Sequence, residues 1–190
     1  MRISAILLSA GLSRRMGRDK LLLEYKGKSL LQHSIDLLSV LPVFERILVT
    51  SESRIEFVSI PQDMTVRTNP VPETGQSGSI RIGIEASSGS HYFFLTADQP
   101  KLKERDLVPL LKAAEANPDK IIFPLINSTP CSPTLFPVNF REELMVLSGD
   151  AGGRLVRDAN KKSCFPVKPE ETMNYTDIDN MEDYYELIES

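Results

Sequence analysis

The sequence has few of the residues that form disulfides or zinc sites. Its 190 residues include two cysteines and two histidines. Cys131 and Cys164 belong to no CxxC motif, and His33 and His91 lie far from both of them in the chain. This spacing argues against a zinc site and predicts that both cysteines are reduced thiols.

Long apolar runs are also missing. No apolar segment is long enough to span a bilayer, and the short one at residues 3–8 lacks the length of a signal peptide. The formal net charge of -4 argues against bulk binding to nucleic acid or to acidic membranes. We therefore expect a cytoplasmic protein without nucleic-acid or membrane partners.

What is present is the composition of a globular protein. Hydrophobic residues make up 41% of the chain and charged residues 25%, a mixture typical of proteins with a substantial core. The length predicts one domain that covers residues 1–190.

Strand-like and helix-like segments alternate along the chain. Short apolar segments predict strands at 3–9, 46–50, 65–69, 91–97, 119–126 and 163–167. Helices are predicted at 29–41, 77–87, 104–116, 139–147, 151–159 and 181–190. This alternation predicts an α/β fold in three layers, with a mostly parallel sheet covered on both faces. The proline-containing segment 127–137 predicts a loop or irregular strand, and with it a mixed or antiparallel edge.

The loop after the first strand gathers positive charge in an otherwise acidic chain. Its glycines, Gly11 and Gly17, allow the backbone to approach a ligand closely. Arginine and lysine side chains bind phosphate oxygens, so the loop fits a polyphosphate, although a solvated basic turn would have the same composition. The loop has neither the ending of a Walker motif nor the glycine spacing of a dinucleotide fingerprint. Its cations are Arg14, Arg15, Arg18 and Lys20.

Two further loops follow predicted strands, and ligands of open α/β sheets bind at that edge. Residues 68–79 contain Asn69 and lead through serines and glycines into a helix whose N-terminus can hold an anion. Asp98 follows the strand at 91–97, and Asp177 and Asp179 precede the last helix. Carboxylates and phosphate oxygens are the ligands that Mg²⁺ prefers. Helix capping is the alternative role for each of these side chains.

The order of these motifs resembles the MobA-like nucleotidyltransferases, and within them the molybdenum cofactor cytidylyltransferases. Residues 8–20 match every fixed position of the family's first motif. The later matches are Asn69-Pro70 with Gly75, Ser77 and Ser79; Ala97-Asp98-Gln99-Pro100; residues 147–152; and Asp177-Ile178-Asp179. Alanine at position 10 is similar to the cytidylyl branch, whereas the guanylyl branch tends to carry glycine there.

The resemblance implies a Rossmann-like nucleotidyltransferase that transfers CMP from CTP to the phosphate of molybdopterin and releases pyrophosphate. It implies catalytic roles for Arg15, Lys20 and Asp98, with Mg²⁺ held by Asp98 and Asp179. Acceptor binding is expected at Gln99, Pro133 and Asp150, although Asp150 could instead cap the following helix. The implied nucleotide-binding residues are Leu8, Ser9, Ala10, Gly11, Ser13, Arg15, Lys20, Asn69, Gly75 and Ser79.

Two departures from the family pattern keep other functions open. Cys131 and Ser132 stand where the cytidylyl branch has glycine and histidine, and Asn180-Met181 replace its threonine and proline. One alternative is a nucleotidyltransferase that uses GTP or CTP and acts on another phosphate monoester, such as a sugar or alcohol phosphate. A second alternative is a carrier that binds the cofactor without turnover. A molybdoenzyme that receives the product is a possible partner.

Overall fold

A computed structural model describes residues 1–11 and 18–189 of the chain. The strands are β1 (Ile3–Ser9), β2 (Glu24–Tyr25), β3 (Lys28–Ser29), β4 (Glu45–Thr50), β5 (Met64–Thr68), β6 (His91–Thr96), β7 (Ile121–Ile126), β8 (Thr129–Pro130), β9 (Thr134–Pro137) and β10 (Cys164–Val167). The α-helices are α1 (Leu30–Val40), α2 (Glu52–Ile55), α3 (Gly75–Ala86), α4 (Glu104–Ala116), α5 (Arg141–Met145), α6 (Arg154–Ala159) and α7 (Met181–Glu189). In these described ranges, no helix combines the length and the hydropathy needed to cross a bilayer.

The main sheet has the strand order β10-β7-β9-β6-β1-β4-β5, and β8 pairs with β7. β1 lies parallel to β4 and to β6, and β4 lies parallel to β5. From β1 the chain runs outward to β4 and β5 and then returns to β6 on the other side. This reversal makes the carboxyl end of β1 a topological switch point, which is where ligands bind in open α/β sheets.

Side chains of the central strand alternate between two cores, and this alternation produces the three layers. Ala5 and Leu7 of β1 face a core that α1 and α4 cover with leucine side chains such as Leu38 and Leu107. Ile6 and Leu8 face the opposite core, which is covered by α3, α5 and α6. The predicted α/β fold with a mostly parallel sheet is confirmed.

The sequence predicts that segment 127–137 forms a mixed or antiparallel edge, but its strand β9 lies inside the sheet. β9 is antiparallel to both β6 and β7, and it sits between them. Leu135 and Phe136 are fully buried, so their apolar surface gains most from a central position. Pro130 and Pro133 precede this short strand and Pro137 is its last residue, which is why its local sequence is typical of a loop.

The C-terminal segment packs onto a small hairpin beside the sheet. β2 and β3 form this antiparallel hairpin, and Tyr25 and Leu30 share a core with Ile178 and Leu187. Tyr184 adds a hydrogen bond from its hydroxyl to the Glu24 carbonyl oxygen, at 2.7 Å. The hairpin and α7 therefore hold residues 177–179 next to the end of β6.

Candidate active site

A cavity of about 400 Å³ opens at the carboxyl edge of the sheet, between the ends of β1 and β6 and the start of α3. This is the edge that the sequence predicts. The structure brings ten of the predicted site residues together in the wall of this cavity: Leu8, Ser9, Ala10, Gly11, Lys20, Gly75, Ser79, Asp98, Asp150 and Asp179.

Lys20 lies between two carboxylates in this cavity. Its Nζ atom is 3.0 Å from Asp98 Oδ2 and 3.4 Å from Asp179 Oδ1. The Lys20 and Asp98 side chains are 16% and 20% exposed, whereas that of Asp179 is 58% exposed. Burial by itself lowers the pKa of Lys20, but the two carboxylates outweigh burial and raise that pKa above its usual value. The lysine therefore remains charged through neutral pH.

Ile178 fixes the position of both carboxylates. Its side chain is 2% exposed in the small core, its backbone N–H donates to the Asp98 carbonyl oxygen at 2.9 Å, and its own carbonyl oxygen accepts from Lys20 Nζ at 2.8 Å. The N-terminus of α7 is capped by Asn180 and Asp183, whose side chains accept hydrogen bonds from backbone N–H groups. Helix capping therefore does not occupy Asp179, whose Oδ1 atom faces Lys20.

A second cavity of about 520 Å³ adjoins the first and shares Asp98, Asp150 and Asp179 with it. Asp177 lines this second cavity and keeps an exposed surface. Burial of its carboxyl group, followed by repulsion from Asp98 and Asp179, raises the pKa of Asp177 to about 7. Among the described residues of this cavity wall, the positive charges belong to Arg154 and Arg157 of α6, which the sequence analysis did not single out.

Asp150 does not cap α6, contrary to one of the two expected roles. The residue before α6 is Gly153, and no side chain caps that helix. Asp150 instead lines both cavities, at the point where the backbone of Gly149 accepts a hydrogen bond from the N–H of Ser77 at 3.2 Å.

Three predicted residues are not among those that line either cavity. Asn69 is buried and donates from Nδ2 to Ser79 Oγ at 3.1 Å, and Gln99 is buried and donates from Nε2 to the Tyr175 carbonyl oxygen at 3.2 Å. Pro133 is likewise not among the residues that line the cavities. Their binding roles stay predictions, and so do those of Ser13 and Arg15, which lie outside the described residues.

The residues around Lys20 fit a divalent cation. Asp98 and Asp179 already converge on one positive atom, and the other oxygen of Asp98, Oδ1, is buried without a hydrogen-bond partner. Within residues 1–11 and 18–189, no group of three or more His, Cys, Asp or Glu side chains could form a metal site made of protein alone. Mg²⁺ needs only one or two carboxylates when phosphate oxygens complete its coordination.

Gly75 is a position where the site requires glycine. Its φ is +71°, and a Cβ atom there would lie 2.4 Å from Asp150 Oδ1 and 2.5 Å from the Gly149 backbone. We expect Gly75→Ala to lower stability by about 1–3 kcal/mol and to displace Asp150, with weaker nucleotide binding as a result. Chemical denaturation and isothermal titration calorimetry measure the two effects.

Gly27→Ala is the matched control for Gly75→Ala. Gly27 has a φ of +80°, but a Cβ atom there meets no described atom within 4 Å. This control carries the backbone strain without the collision, so it should lose stability and keep full nucleotide affinity. Equal nucleotide affinity in Gly75→Ala and Gly27→Ala would show that displacing Asp150 does not affect nucleotide binding.

The fold and the cavity together define an α/β protein of the Rossmann-like class. The sheet is mostly parallel, the cavity lies at its switch point, and a lysine and two carboxylates meet there. Residues 5–163 match the MobA-like NTP transferase domain, and the chain belongs to this family.

Among curated proteins, the chain is similar to the molybdenum cofactor guanylyltransferase of Syntrophotalea carbinolica, with 30% identity over 115 residues. That match covers 60% of this chain and 53% of the relative, so the chain spans just over half the length of that protein.

Solved structures agree on the fold. Rv0371c from Mycobacterium tuberculosis H37Rv has a TM-score of 0.86 at 21% identity, covering 100% of this chain and 99% of that one. Its manganese complex has a TM-score of 0.79 at 20% identity and covers 100% of both chains. CMP:2-keto-3-deoxy-manno-octonic acid synthetase complexed with CTP has a TM-score of 0.75 at 13% identity, covering 100% of this chain and 98% of that one.

Proposed function

We propose that this chain transfers a nucleoside monophosphate from a nucleoside triphosphate to the phosphate of the molybdenum cofactor and releases pyrophosphate. The observation that carries this proposal is the convergence of Lys20, Asp98 and Asp179 in one cavity at the switch point of the sheet. The single domain predicted for residues 1–190 and the cytoplasmic location stay predictions.

The proposed step needs no general base. An acceptor phosphate oxygen bonds to the α-phosphorus of the nucleotide as the bond from that phosphorus to the bridging oxygen breaks. A phosphate monoester has its second pKa near 6, so it is largely dianionic at neutral pH and already nucleophilic. The chain must therefore supply positioning and compensation of negative charge rather than proton transfer.

The described part of the site supplies positioning and charge compensation in two ways. Lys20 provides a buried positive charge, and the N-terminus of α3 borders the same cavity through Gly75 and Gln76. The second cavity, with Arg154 and Arg157 in its wall, provides adjoining space for an anionic acceptor. We assign the nucleotide to the first cavity and the acceptor to the second.

Charge in the first cavity supports a requirement for Mg²⁺. Four carboxylates line the described wall of the first cavity against one cation, Lys20, and a triphosphate adds further negative charge. The carboxylates are those of Glu73, Asp98, Asp150 and Asp179. Asp98 and Asp179 are the residues that would hold the metal. Bound Mg²⁺ supplies Lewis-acid stabilisation of the charge on the phosphate oxygens.

The choice of base has two candidates with different support. Ala10, which is 3% exposed in the wall of the first cavity, supports CTP through the resemblance to the cytidylyl branch. The name of the Syntrophotalea relative supports GTP. We propose CTP as the donor and keep GTP as the alternative.

Pyrophosphate release with each nucleoside triphosphate, Mg²⁺ and molybdenum cofactor tests this proposal. We expect release that depends on the acceptor and is fastest with CTP. Faster release with GTP would identify a guanylyltransferase, and release only with sugar or alcohol phosphates would change the acceptor. Tight binding of the cofactor without release under any nucleotide would show a carrier and refute the enzymatic proposal.

A further inference from the structure

Arg54 is a buried cation that belongs to neither cavity wall. It lies in α2, just after β4, and is 3% exposed. An arginine at this depth needs hydrogen-bond partners for its guanidinium group, because an unpaired buried charge is strongly destabilising. The identity of those partners shows what the residue does.

Among the described residues, the partners of the Arg54 guanidinium lie on both sides of the cationic loop that follows β1, here called the basic loop (residues 9–20). Its two arms are residues 9–11 and 18–20. Before residues 12–17, Nη1 donates to the carbonyl oxygen of Ser9, and Nη2 donates to that of Gly11 at 2.7 Å. After them, Nε and Nη2 donate to the two oxygens of Asp19 at 2.6 and 2.9 Å. A planar guanidinium that binds a carboxylate through two N–H groups has a fixed orientation. Arg54 therefore sets the distance between the two arms.

Asp19 extends this connection to Lys20. Its Oδ1 atom also accepts a hydrogen bond from the backbone N–H of Leu21 at 3.1 Å and caps the short 3-10 helix Lys20–Leu22. That helix begins with the lysine that reaches Asp98 and Asp179. The orientation of Asp19 is thus coupled to the direction in which Lys20 enters the cavity.

The other arm borders the same cavity. Ser9, Ala10 and Gly11 line it, and the carbonyl groups of Ser9 and Gly11 point toward Arg54. In a trans peptide the N–H group points away from the C=O group. Arg54 therefore turns the N–H of Ala10 away from itself and fixes one peptide plane of the cavity wall.

We propose that Arg54 is a positioning residue for nucleotide binding, which it supports by clamping the arms of the basic loop through Ser9, Gly11 and Asp19. This inference rests on the proposed function, because it takes a nucleotide as the ligand of the first cavity. Arg54 itself does not line that cavity.

Arg46 provides a matched control. This arginine of β4 donates to the carbonyl oxygens of Leu38 and Leu41 at 2.9 and 2.7 Å and to Asp63 at 3.1 Å. Like Arg54, it therefore binds two carbonyl oxygens and an aspartate. This cluster lies at the end of α1 and not in either cavity wall. Arg46→Gln reports the cost of losing such a cluster for stability alone.

The test compares wild type, Arg54→Gln and Arg46→Gln by titration calorimetry with Mg²⁺ and CTP, and again with GTP, well below the lowest melting temperature. We expect Arg54→Gln to weaken nucleotide binding about tenfold, or about 1.4 kcal/mol, and Arg46→Gln to keep wild-type affinity while losing stability. Asp19→Asn keeps an oxygen for Leu21 but removes the charge. It should weaken binding severalfold and stays informative if Arg54→Gln does not fold.

The double variant Arg54→Gln/Asp19→Asn should bind no more weakly than Arg54→Gln alone, because both changes remove the same interaction. Wild-type nucleotide affinity in Arg54→Gln would overturn the positioning role, and so would a loss of affinity in Arg46→Gln equal to that in Arg54→Gln. If Arg54→Gln does not fold, wild-type affinity in Asp19→Asn would overturn it instead. Failure of the wild-type chain to bind any nucleotide would instead refute the proposed function.

Discussion

Replacing Asp98 with asparagine should lower kcat for pyrophosphate release by about 10²–10³, the usual cost of losing one preorganised electrostatic contact. Asp98 lies at the end of β6 with one oxygen on Lys20 and the other buried without a partner. The asparagine side chain has nearly the same shape but lacks the negative charge with which we propose that Asp98 holds a divalent cation. Most of the loss should therefore persist at saturating nucleotide.

The Asp98→Asn measurement uses initial rates over a range of Mg²⁺ concentrations. Asp36→Asn is its control, because Asp36 pairs with Lys28 at 2.5 Å in a lysine–aspartate contact apart from either cavity wall. We expect the control to keep the wild-type kcat. A rate for Asp98→Asn near that of wild type at saturating Mg²⁺ would refute the assignment of Asp98 as a metal ligand.

Replacing Lys20 with methionine should have two effects of opposite direction. We expect kcat to fall by about 10²–10³, because the variant loses the positive charge that we propose offsets the nucleotide phosphates. In the absence of nucleotide, binding of Mg²⁺ should become tighter, because Lys20 no longer competes for Asp98 and Asp179. A merely structural lysine would not produce tighter metal binding when removed.

Titration of the Lys20→Met variant with Mg²⁺ and with manganese, beside kinetic assays, separates these effects. Lys28→Met removes the lysine of the Lys28–Asp36 pair and should change neither quantity. Weaker metal binding in Lys20→Met would show that the lysine organises the carboxylates instead of competing with the metal. An unchanged kcat would exclude a role for Lys20 in the reaction.

Local sequence was a reliable guide where the structure depends on contacts along one segment. The apolar run of β1 and the 3.6-residue period of α1 predict their elements, and Ser29 caps α1 by accepting a hydrogen bond from the N–H of Gln32. β9 has no such local signal. Its position between β6 and β7 follows from burial of Leu135 and Phe136 by distant parts of the chain.

For the site, the sequence could name candidates but could not choose between their roles. Aspartate suits helix capping as well as ligand binding, so Asp179 had a metal role or a capping role, and Asp150 an acceptor-binding role or a capping role. The structure resolves the capping question because Asn180 and Asp183 cap α7 and no side chain caps α6. No sequence pattern indicated a role for Arg54, because its partner Asp19 lies 35 residues away along the chain.

The sequence by itself determined the class of this protein: the alternation of strands and helices set the α/β layers, and the spacing of the motifs placed three polar loops at one edge of the sheet. Tertiary structure alone decided which of those polar groups meet. Ile178 brings Asp179 to Lys20 across 159 positions of chain by burying its side chain beside the β2–β3 hairpin. Such contacts depend on the packing of distant segments, and no local pattern encodes the distance between two side chains.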